Sequence, residues 1–185
     1  MDPNLAQLIE CCKKQDRGAQ FQIYRVFAPK MLAVVSRYTC DSMEAEDILL
    51  VGFTKAFKNI HNYMAKGAFE GWIKKIMINT ALTQIKSRQA YMRLNIGFAS
   101  ILEEKTFSYE MKDVSHLLQA LNSLPNTLKI PFTLFAIEGY CHKEISGQLC
   151  ISEALSKTRV LRARKILRDR LKAREKIINY SIYSG

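Results

Sequence analysis

The sequence predicts an all-α protein made of two small helical domains joined by a linker, with a helix-turn-helix in the second domain. Apolar residues recur at helical spacing along almost the whole chain. Neither alternating strand patterns nor Asn-Gly hairpin turns occur in it. Helical patterning fills residues 1–90 and 114–178, whereas residues 91–113 mix scattered apolar groups with glycine, serine and glutamates, which is typical of a linker.

Positive charge is concentrated in the two predicted domains. The chain has a formal net charge of +11. Residues 1–90 carry 13 basic and 8 acidic side chains, residues 91–118 carry 3 and 4, and residues 119–185 carry 12 and 5. Two basic regions around a slightly acidic connector indicate two contacts with one polyanion such as DNA, although a solvated cationic surface would have the same composition.

The cysteines, histidines and apolar runs argue against several other classes of protein. Five cysteines without CxxC spacing, and no recognisable signal sequence, predict reduced thiols in a cytoplasmic protein. Cys141, His142 and Cys150 could suggest a metal site, but a fourth ligand is missing, so we expect neither metal nor cofactor. No apolar run approaches the ~20 residues that span a bilayer, so we expect no membrane insertion. The scattered histidines and the lack of a Gly-rich phosphate loop also speak against an enzyme.

One predicted helix of the first domain, over residues 43–59, has an acidic outer face. It begins after Asp41, which stands three residues before a glutamate, the spacing of a capping box. Its predicted buried side carries Ala45, Ile48, Leu49, Gly52, Phe53, Ala56 and Ile60. The acidic Glu46 and Asp47 are poorly suited to DNA, and an outward Leu50 is unusual for a surface that meets only solvent. We therefore expect a contact with a partner protein, although the helix dipole alone would also favour acidic residues near this end.

The loop after that helix and the next predicted helix, residues 69–88, carry groups suited to an unpaired base. The ring of Tyr63 could stack on a base, and the amide of Asn79 both donates and accepts hydrogen bonds, as a base edge requires. Five cations could hold phosphates, namely Lys66, Lys74, Lys75, Lys86 and Arg88. The residues alone leave other roles open, since Tyr63 could be an aromatic at the edge of the core and Asn79 could hydrogen-bond within the helix packing.

Residues 139–165 predict two short helices around a tight turn, the second beginning at Ser152. In the second helix a helical spacing predicts a buried stripe of Ser156, Val160, Ala163, Leu167 and Leu171. The outward side then carries Lys157, Thr158, Arg159, Arg162 and Lys165. Lysine and arginine can bridge O6 and N7 of guanine, and threonine can contact a base edge or a thymine methyl, so Lys157, Thr158 and Arg162 are the predicted base contacts. The other outward cations are equally well explained by phosphate contacts or by solvation.

Two blocks of motifs follow each other along the chain. The first comprises Glu44-Ala45-Glu46-Asp47-Ile48, Phe53, Ala56 and Phe69-x-x-Trp72-Ile73-x-x-Ile76-x-x-Asn79-x-Ala81. The second comprises Leu121-x-x-Leu124-Pro125, Glu144-Ile145, Leu149-x-Ile151-Ser152-Glu153, Lys157-x-Arg159 and Arg162-Ala163-Arg164. In this order they resemble domains 2 and 4 of the extracytoplasmic-function sigma factors, which are small specificity subunits of bacterial RNA polymerase. The likeness covers roughly residues 5–175.

The chain departs from the family pattern at a few positions. The family usually has Gln where Leu50 stands, Asp where Thr83 stands and Gly where Cys150 stands. It also tends to have Gly-Thr-Val in place of Ala154-Leu155-Ser156. We expect such changes to alter promoter choice rather than to abolish the activity.

The resemblance implies a sigma factor that binds core RNA polymerase, recognises the −10 and −35 promoter elements and assists promoter melting. Residues 1–90 would be sigma domain 2 and residues 114–178 sigma domain 4. The implied contacts with core polymerase are Glu46, Asp47 and Leu50. The implied contacts with the −10 element are Tyr63, Lys66, Lys74, Lys75, Asn79, Lys86 and Arg88, and those with the −35 element are Lys157, Thr158, Arg159 and Arg162. The expected partners are core RNA polymerase, promoter DNA and an anti-sigma factor.

Two rival interpretations use the same residues differently. A stand-alone helix-turn-helix regulator would use the first domain for a ligand or for dimerisation, and it would bind duplex DNA tightly without polymerase. An adaptor that acts only by protein contact would suit the acidic helix of the first domain. It would leave the ten cations between Lys157 and Lys176 unexplained.

Overall fold

Helices form all the regular secondary structure of the residues that the structure describes, which are 3–39, 41–65, 67–95 and 116–183. The computed structural model contains α1 (Pro3–Lys13), α2 (Arg17–Val35), α3 (Ser42–Lys58), α4 (Phe69–Asn95), α5 (His116–Asn122), α6 (Asn126–Ala136), α7 (His142–Leu149) and α8 (Glu153–Tyr183), with a 3-10 turn at Ile60–Asn62. The chain divides into two units, the first containing α1 to α4 and the second α5 to α8. The predicted all-α fold class is confirmed for these residues.

Aspartate side chains cap two helices of the first unit. Asp16 accepts a hydrogen bond of 2.7 Å from the backbone N–H of Ala19 and so caps α2. Asp41 accepts one of 2.7 Å from the N–H of Glu44 and caps α3, the position that its spacing predicted. Because the cap fixes where α3 begins, the bounds of this helix agree with the predicted ones to within one residue.

The helices α3 and α4 pack closely because Gly52 has no side chain. A β-carbon on Gly52 would lie 3.0 Å from Cε of Met77, which is closer than an ordinary van der Waals contact. The predicted buried side of α3 is confirmed, since Ala45, Ile48, Leu49, Gly52, Phe53, Ala56 and Ile60 are all buried. Each large apolar side chain of this kind stabilises the fold by roughly 1.5–3 kcal/mol through removal from water. With this side of α3 in the core, its carboxylates necessarily lie outside.

The helix α4 is longer than the helix predicted from the sequence, which ended at Arg88. It continues to Asn95, so the first residues of the predicted linker are helical. The extension contains neither glycine nor proline, and its alanine, methionine, arginine and leucine are all good helix formers. The rest of the predicted linker, residues 96–113, lies outside the described residues.

The second unit is built around α8, against which α5, α6 and α7 all pack. Its apolar cluster joins Leu121 and Leu124 to Ala163 and Leu167. The predicted stripe of α8 is confirmed as far as Leu167, whereas Leu171 is only half-buried. The stripe faces the other helices, so the opposite side of α8 is left exposed.

Pro131 lies inside α6 and does not delay the start of this helix. The helix begins at Asn126, directly after Pro125. A proline in this position removes one intrahelical bond, to the carbonyl of Thr127. Thr127 is exposed, so water can satisfy that carbonyl and lower the cost of the missing bond.

Candidate partner and nucleic-acid interfaces

The outward side of α3 combines carboxylates with exposed apolar side chains. Glu46 and Asp47 are exposed, and Leu50 beside them is 55% exposed. Met43 and Val51 are exposed as well, although the sequence interpretation did not single them out. Met43 precedes Asp47 by four residues and Leu50 by seven, so the helical period alone was sufficient to find it. These five residues are called the α3 face below.

Tyr63 is buried in this structure rather than open to a base. It is only 5% exposed. Its ring centroid lies 5.0 Å from that of Phe69 and 5.6 Å from that of Trp72, both at the start of α4. Its hydroxyl donates a hydrogen bond of 2.6 Å to the carbonyl oxygen of Gly67. A base can therefore stack on this ring only if one of these aromatic neighbours moves, which differs from the expected open stacking surface.

Three of the predicted −10 residues share one side of α4. Lys75, Asn79 and Lys86 are all exposed and follow each other at four and seven residues. Thr83 lies on the same side, and its hydroxyl donates to the backbone carbonyl of Asn79 at 2.8 Å. Asn79 is exposed, so it lies on the outer surface of α4. Lys75, Asn79 and Lys86 are called the α4 face below.

The other predicted −10 cations lie elsewhere. Lys74 is half-buried and stands one turn before the buried Ile78, so it lies on a different side of α4. Arg88 is brought towards α3, where its guanidinium is 3.8 Å from the carboxylate of Glu44. Lys66 lies outside the described residues.

The turn of the helix-turn-helix contains a cysteine in a left-handed backbone conformation. Cys150 has φ 54° and ψ 45°. The turn is closed by a hydrogen bond of 3.2 Å from the N–H of Ile151 to the carbonyl of Ser146. Ser152 then caps α8, since its hydroxyl accepts from the N–H of Leu155 at 3.1 Å. The cysteine thus occupies a conformation that glycine adopts at much lower cost.

The early part of α8 presents the predicted −35 residues to solvent. Lys157, Thr158 and Arg162 are exposed, whereas Arg159 is half-buried. Leu161 is 68% exposed, although the sequence interpretation did not name it. The helical period could have predicted this exposure, because Leu161 falls between members of the buried stripe and three residues after the outward Thr158. Lys157, Thr158, Leu161 and Arg162 are called the α8 face below.

Lys157 is paired with a carboxylate from its own helix. Its Nζ lies 2.8 Å from Oε1 of Glu153, four residues earlier. The hydrogen bond and the positive charge of Lys157 lower the pKa of Glu153 below its usual range. Near neutral pH a negative charge therefore stands next to the first predicted base contact.

The described part of the chain shows no metal cluster. No group of three or more His, Cys, Asp or Glu side chains among these residues could hold a metal ion. Cys141 and Cys150 stand at opposite ends of α7, and Nδ1 of His142 is hydrogen-bonded to the hydroxyl of Ser156. In the same part of the chain, every helix is too short or too polar to cross a membrane.

Comparison with known proteins identifies both units. Residues 23–91 match the family model Sigma-70 region 2, and residues 116–167 match Sigma-70, region 4. The RNA polymerase sigma-H factor of Pseudomonas aeruginosa is 24% identical over 174 residues, which cover 87% of this chain and 90% of the relative. The ECF RNA polymerase sigma-E factor of Escherichia coli (strain K12) is 23% identical over 179 residues, covering 89% and 92%.

A solved structure shares the fold. It is a co-crystal structure of the sigma factor RpoE in complex with the anti-sigma factor NepR from Bartonella quintana. It is 21% identical, covers 82% of this chain and 95% of its own, and has a TM-score of 0.53. The two family regions, in the same order as in the resembling motifs, account for each unit of the fold. The chain belongs to the sigma-70 family of RNA polymerase sigma factors, in its extracytoplasmic-function group.

Proposed function

We propose that the chain joins core RNA polymerase through the α3 face and reads a promoter at two places, the −10 element with α4 and the −35 element with α8. The observation that carries this assignment is the helix-turn-helix, in which Lys157, Thr158 and Arg162 are exposed near the start of α8. A recognition helix enters the major groove with its first turns, so these are the side chains that reach base edges. A stand-alone regulator is not favoured, because the first unit matches a sigma factor region.

The α3 face suits a protein partner better than DNA. Glu46 and Asp47 would be repelled by phosphates, whereas they can pair with basic side chains of a protein. The exposed Leu50, Met43 and Val51 add apolar area that gains free energy only when another apolar surface covers it. We therefore assign this face to core polymerase.

The α4 face is assigned to the −10 element. The Asn79 amide can donate to and accept from one base edge, and Lys75 and Lys86 can hold phosphates on either side of it. Tyr63 contributes by holding the loop before α4 through its bond to Gly67. Lys66, Lys74 and Arg88 are also assigned to phosphates near the −10 element.

The α8 face is assigned to the −35 element. Lys157 and Arg162 can bridge O6 and N7 of guanine, and Thr158 can contact a base edge or a thymine methyl. Arg159 is half-buried and is assigned to a phosphate, which strengthens binding without selecting a sequence. Each correct base contact of this kind is worth about 1–3 kcal/mol of discrimination.

Promoter opening follows from coupled binding. Unpairing and unstacking a base costs a few kcal/mol, which contacts in a pocket for the flipped base offset. Two weak DNA-binding units on one chain gain from effective concentration, so neither needs high affinity alone. We therefore expect weak binding to free promoter DNA, lowered steeply by salt.

The chain itself carries out no chemistry in this proposal, and it acts in the cytoplasm beside polymerase. The fold neighbour from Bartonella quintana was crystallised with an anti-sigma factor. We propose that this chain also binds an anti-sigma factor, which would inhibit it by competing with polymerase for the same surface.

The experiment that tests the proposal separates assembly from opening. Leu50→Ala is expected to weaken assembly with core polymerase by at least about tenfold, because burying a leucine gains roughly 1.5–3 kcal/mol. Asn79→Ala is expected to assemble normally and to slow promoter opening. Assembly is followed by size-exclusion chromatography at low ionic strength, and opening by the fluorescence of a base analogue in the −10 element.

Val26→Ala is the matched control, because Val26 is similarly exposed but lies on α2. It should leave both readouts unchanged. Unaltered assembly in Leu50→Ala would remove the α3 face from the polymerase contact. Unaltered opening in Asn79→Ala would remove this amide from the base pocket.

A further inference from the structure

Ser156 is a buried hydroxyl in the apolar stripe of α8. It is 0% exposed, and a hydroxyl in such a place is costly unless it is hydrogen-bonded. Its partner is Nδ1 of His142, at 3.1 Å. His142 is the first residue of α7, so this bond joins the start of one helix of the helix-turn-helix to the start of the other.

The His142 ring is itself held in place by α6. It stacks on Phe135, with ring centroids 4.4 Å apart and an interplanar angle of 13°. The guanidinium of Arg164, further along α8, lies 5.3 Å from the centroid of the same phenyl ring. Phe135, His142, Ser156 and Arg164 therefore form a joint that links three helices, and it is called the α7–α8 joint below.

The position of this joint in α8 allows it to affect base recognition. Ser156 immediately precedes Lys157 and Thr158. Arg162 lies about 9 Å further along the helix, so a tilt of about 10° at Ser156 would displace it by about 1.6 Å. Hydrogen bonds to base edges tolerate only a few tenths of an ångström. A small change in the helix angle at the joint would therefore displace side chains that read the −35 element by more than their hydrogen bonds tolerate.

We infer that His142 and Ser156 are positioning residues for −35 recognition, which hold α8 at the angle that base readout requires. They touch no base themselves. This inference rests on the proposed assignment of α8 to the −35 element, and it adds that promoter selectivity depends on a polar contact inside the second unit. Phe135 keeps the imidazole of His142 in the orientation that the bond needs.

The test uses full-length variants reconstituted with core polymerase. Initiation is measured on two promoter libraries, one randomised at the −35 element and one at the −10 element. Ser156→Ala and His142→Phe are each expected to lower −35 discrimination about fivefold, the factor that corresponds to an ordinary hydrogen bond. His142→Phe keeps an aromatic ring against Phe135, so it removes the bond and not the stacking. The double variant should be no worse than the more severe single one, since both remove the same bond.

Several readouts separate positioning from general loss of stability. Discrimination at the −10 element and assembly with polymerase should stay unchanged in every variant. Ser156→Thr, which retains the hydroxyl but adds a methyl group to a buried site, should keep more −35 discrimination than Ser156→Ala. Ser146→Ala is the matched control, because its hydroxyl bonds to the carbonyl of Lys143 within α7 and joins no second helix.

The possible results distinguish this inference from the proposed function. If Ser156→Ala and His142→Phe both select −35 sequences as the wild type does, the joint has no positioning role, while the proposed function stands. If −35 and −10 discrimination fall together, the effect is one of stability and the inference is overturned. If the wild-type chain shows no −35 preference in the first place, the proposed function fails and the joint loses its role with it.

Discussion

The Tyr63 hydroxyl donates a hydrogen bond of 2.6 Å to the carbonyl oxygen of Gly67, across the loop that precedes α4. Because the Tyr63 ring is covered by Phe69 and Trp72, the hydroxyl and not the ring face is the part of this residue that acts on the loop. A role as a loop anchor therefore requires the hydroxyl, whereas a role as a stacking surface does not.

Tyr63→Phe distinguishes these two roles. It keeps the aromatic packing and removes a hydrogen bond worth about 1 kcal/mol, so we expect promoter opening to slow about fivefold. A stacking surface would work equally well with phenylalanine, and the opening rate would then match that of the wild type. Tyr24→Phe is the control. The Tyr24 ring packs on Phe53, with ring centroids 4.9 Å apart, and neither residue belongs to this loop.

Cys150→Gly should stabilise the second unit by about 1 kcal/mol, because a residue with a β-carbon is strained in the left-handed conformation. Gly139→Ala should destabilise this unit by a similar amount, because Gly139 has φ 78°. An added β-carbon would meet nothing within 4 Å, so backbone strain alone is the cause. Amide hydrogen exchange of peptides from α6 to α8 measures both. Equal protection in the two variants would mean that backbone strain at these turns is relieved in another way.

Gly52→Ala should destabilise the first unit by roughly 1–2 kcal/mol. The new methyl group meets Sδ and Cε of Met77, which is 0% exposed, so this side chain must move inside the core, and we expect overpacking to outweigh the gain in helix propensity. Gly71→Ala in α4 meets nothing within 4 Å and should instead stabilise by about 0.5–1 kcal/mol. Urea unfolding followed by the fluorescence of Trp72, the single tryptophan, reports on this unit. A stabilised Gly52→Ala would show that α3 and α4 are less tightly packed than described.

Lys157→Ala should relax preference at one position of the −35 element by about tenfold, as expected for the loss of a base contact. Lys172→Ala, which removes an exposed cation much further along α8, should weaken binding to all sequences equally and lower the salt dependence. Both are measured as holoenzyme on the same promoter library at two salt concentrations. A uniform effect of Lys157→Ala would make it a phosphate contact.

Helical periodicity predicted those parts of the fold where a long helix has one buried side. The stripe from Ser156 to Leu167 and the buried side of α3 are of this kind, since burial on a regular helix repeats with the sequence itself. The exposure of Asp47 and Leu50 followed from the same period.

Helical periodicity does not predict the contacts between different helices and loops. The cover over Tyr63 comes from Phe69 and Trp72 in the next helix, and local sequence does not reveal how a loop turns back on its neighbours. The bond between His142 and Ser156 joins two helices through a turn whose geometry depends on one cysteine. Lys74 was predicted as a phosphate contact from its charge, and its half-burial one turn before the buried Ile78 depends on how α4 packs, which that charge does not reveal.

The most direct test of the account is initiation from a promoter library by purified chain and core polymerase, separately and together. The account predicts specific transcription starts only when both are present, and weak, salt-sensitive binding of the chain alone. Tight binding of the chain alone to a duplex site, unchanged by polymerase, would contradict it, as would failure to form any complex with core polymerase at low ionic strength.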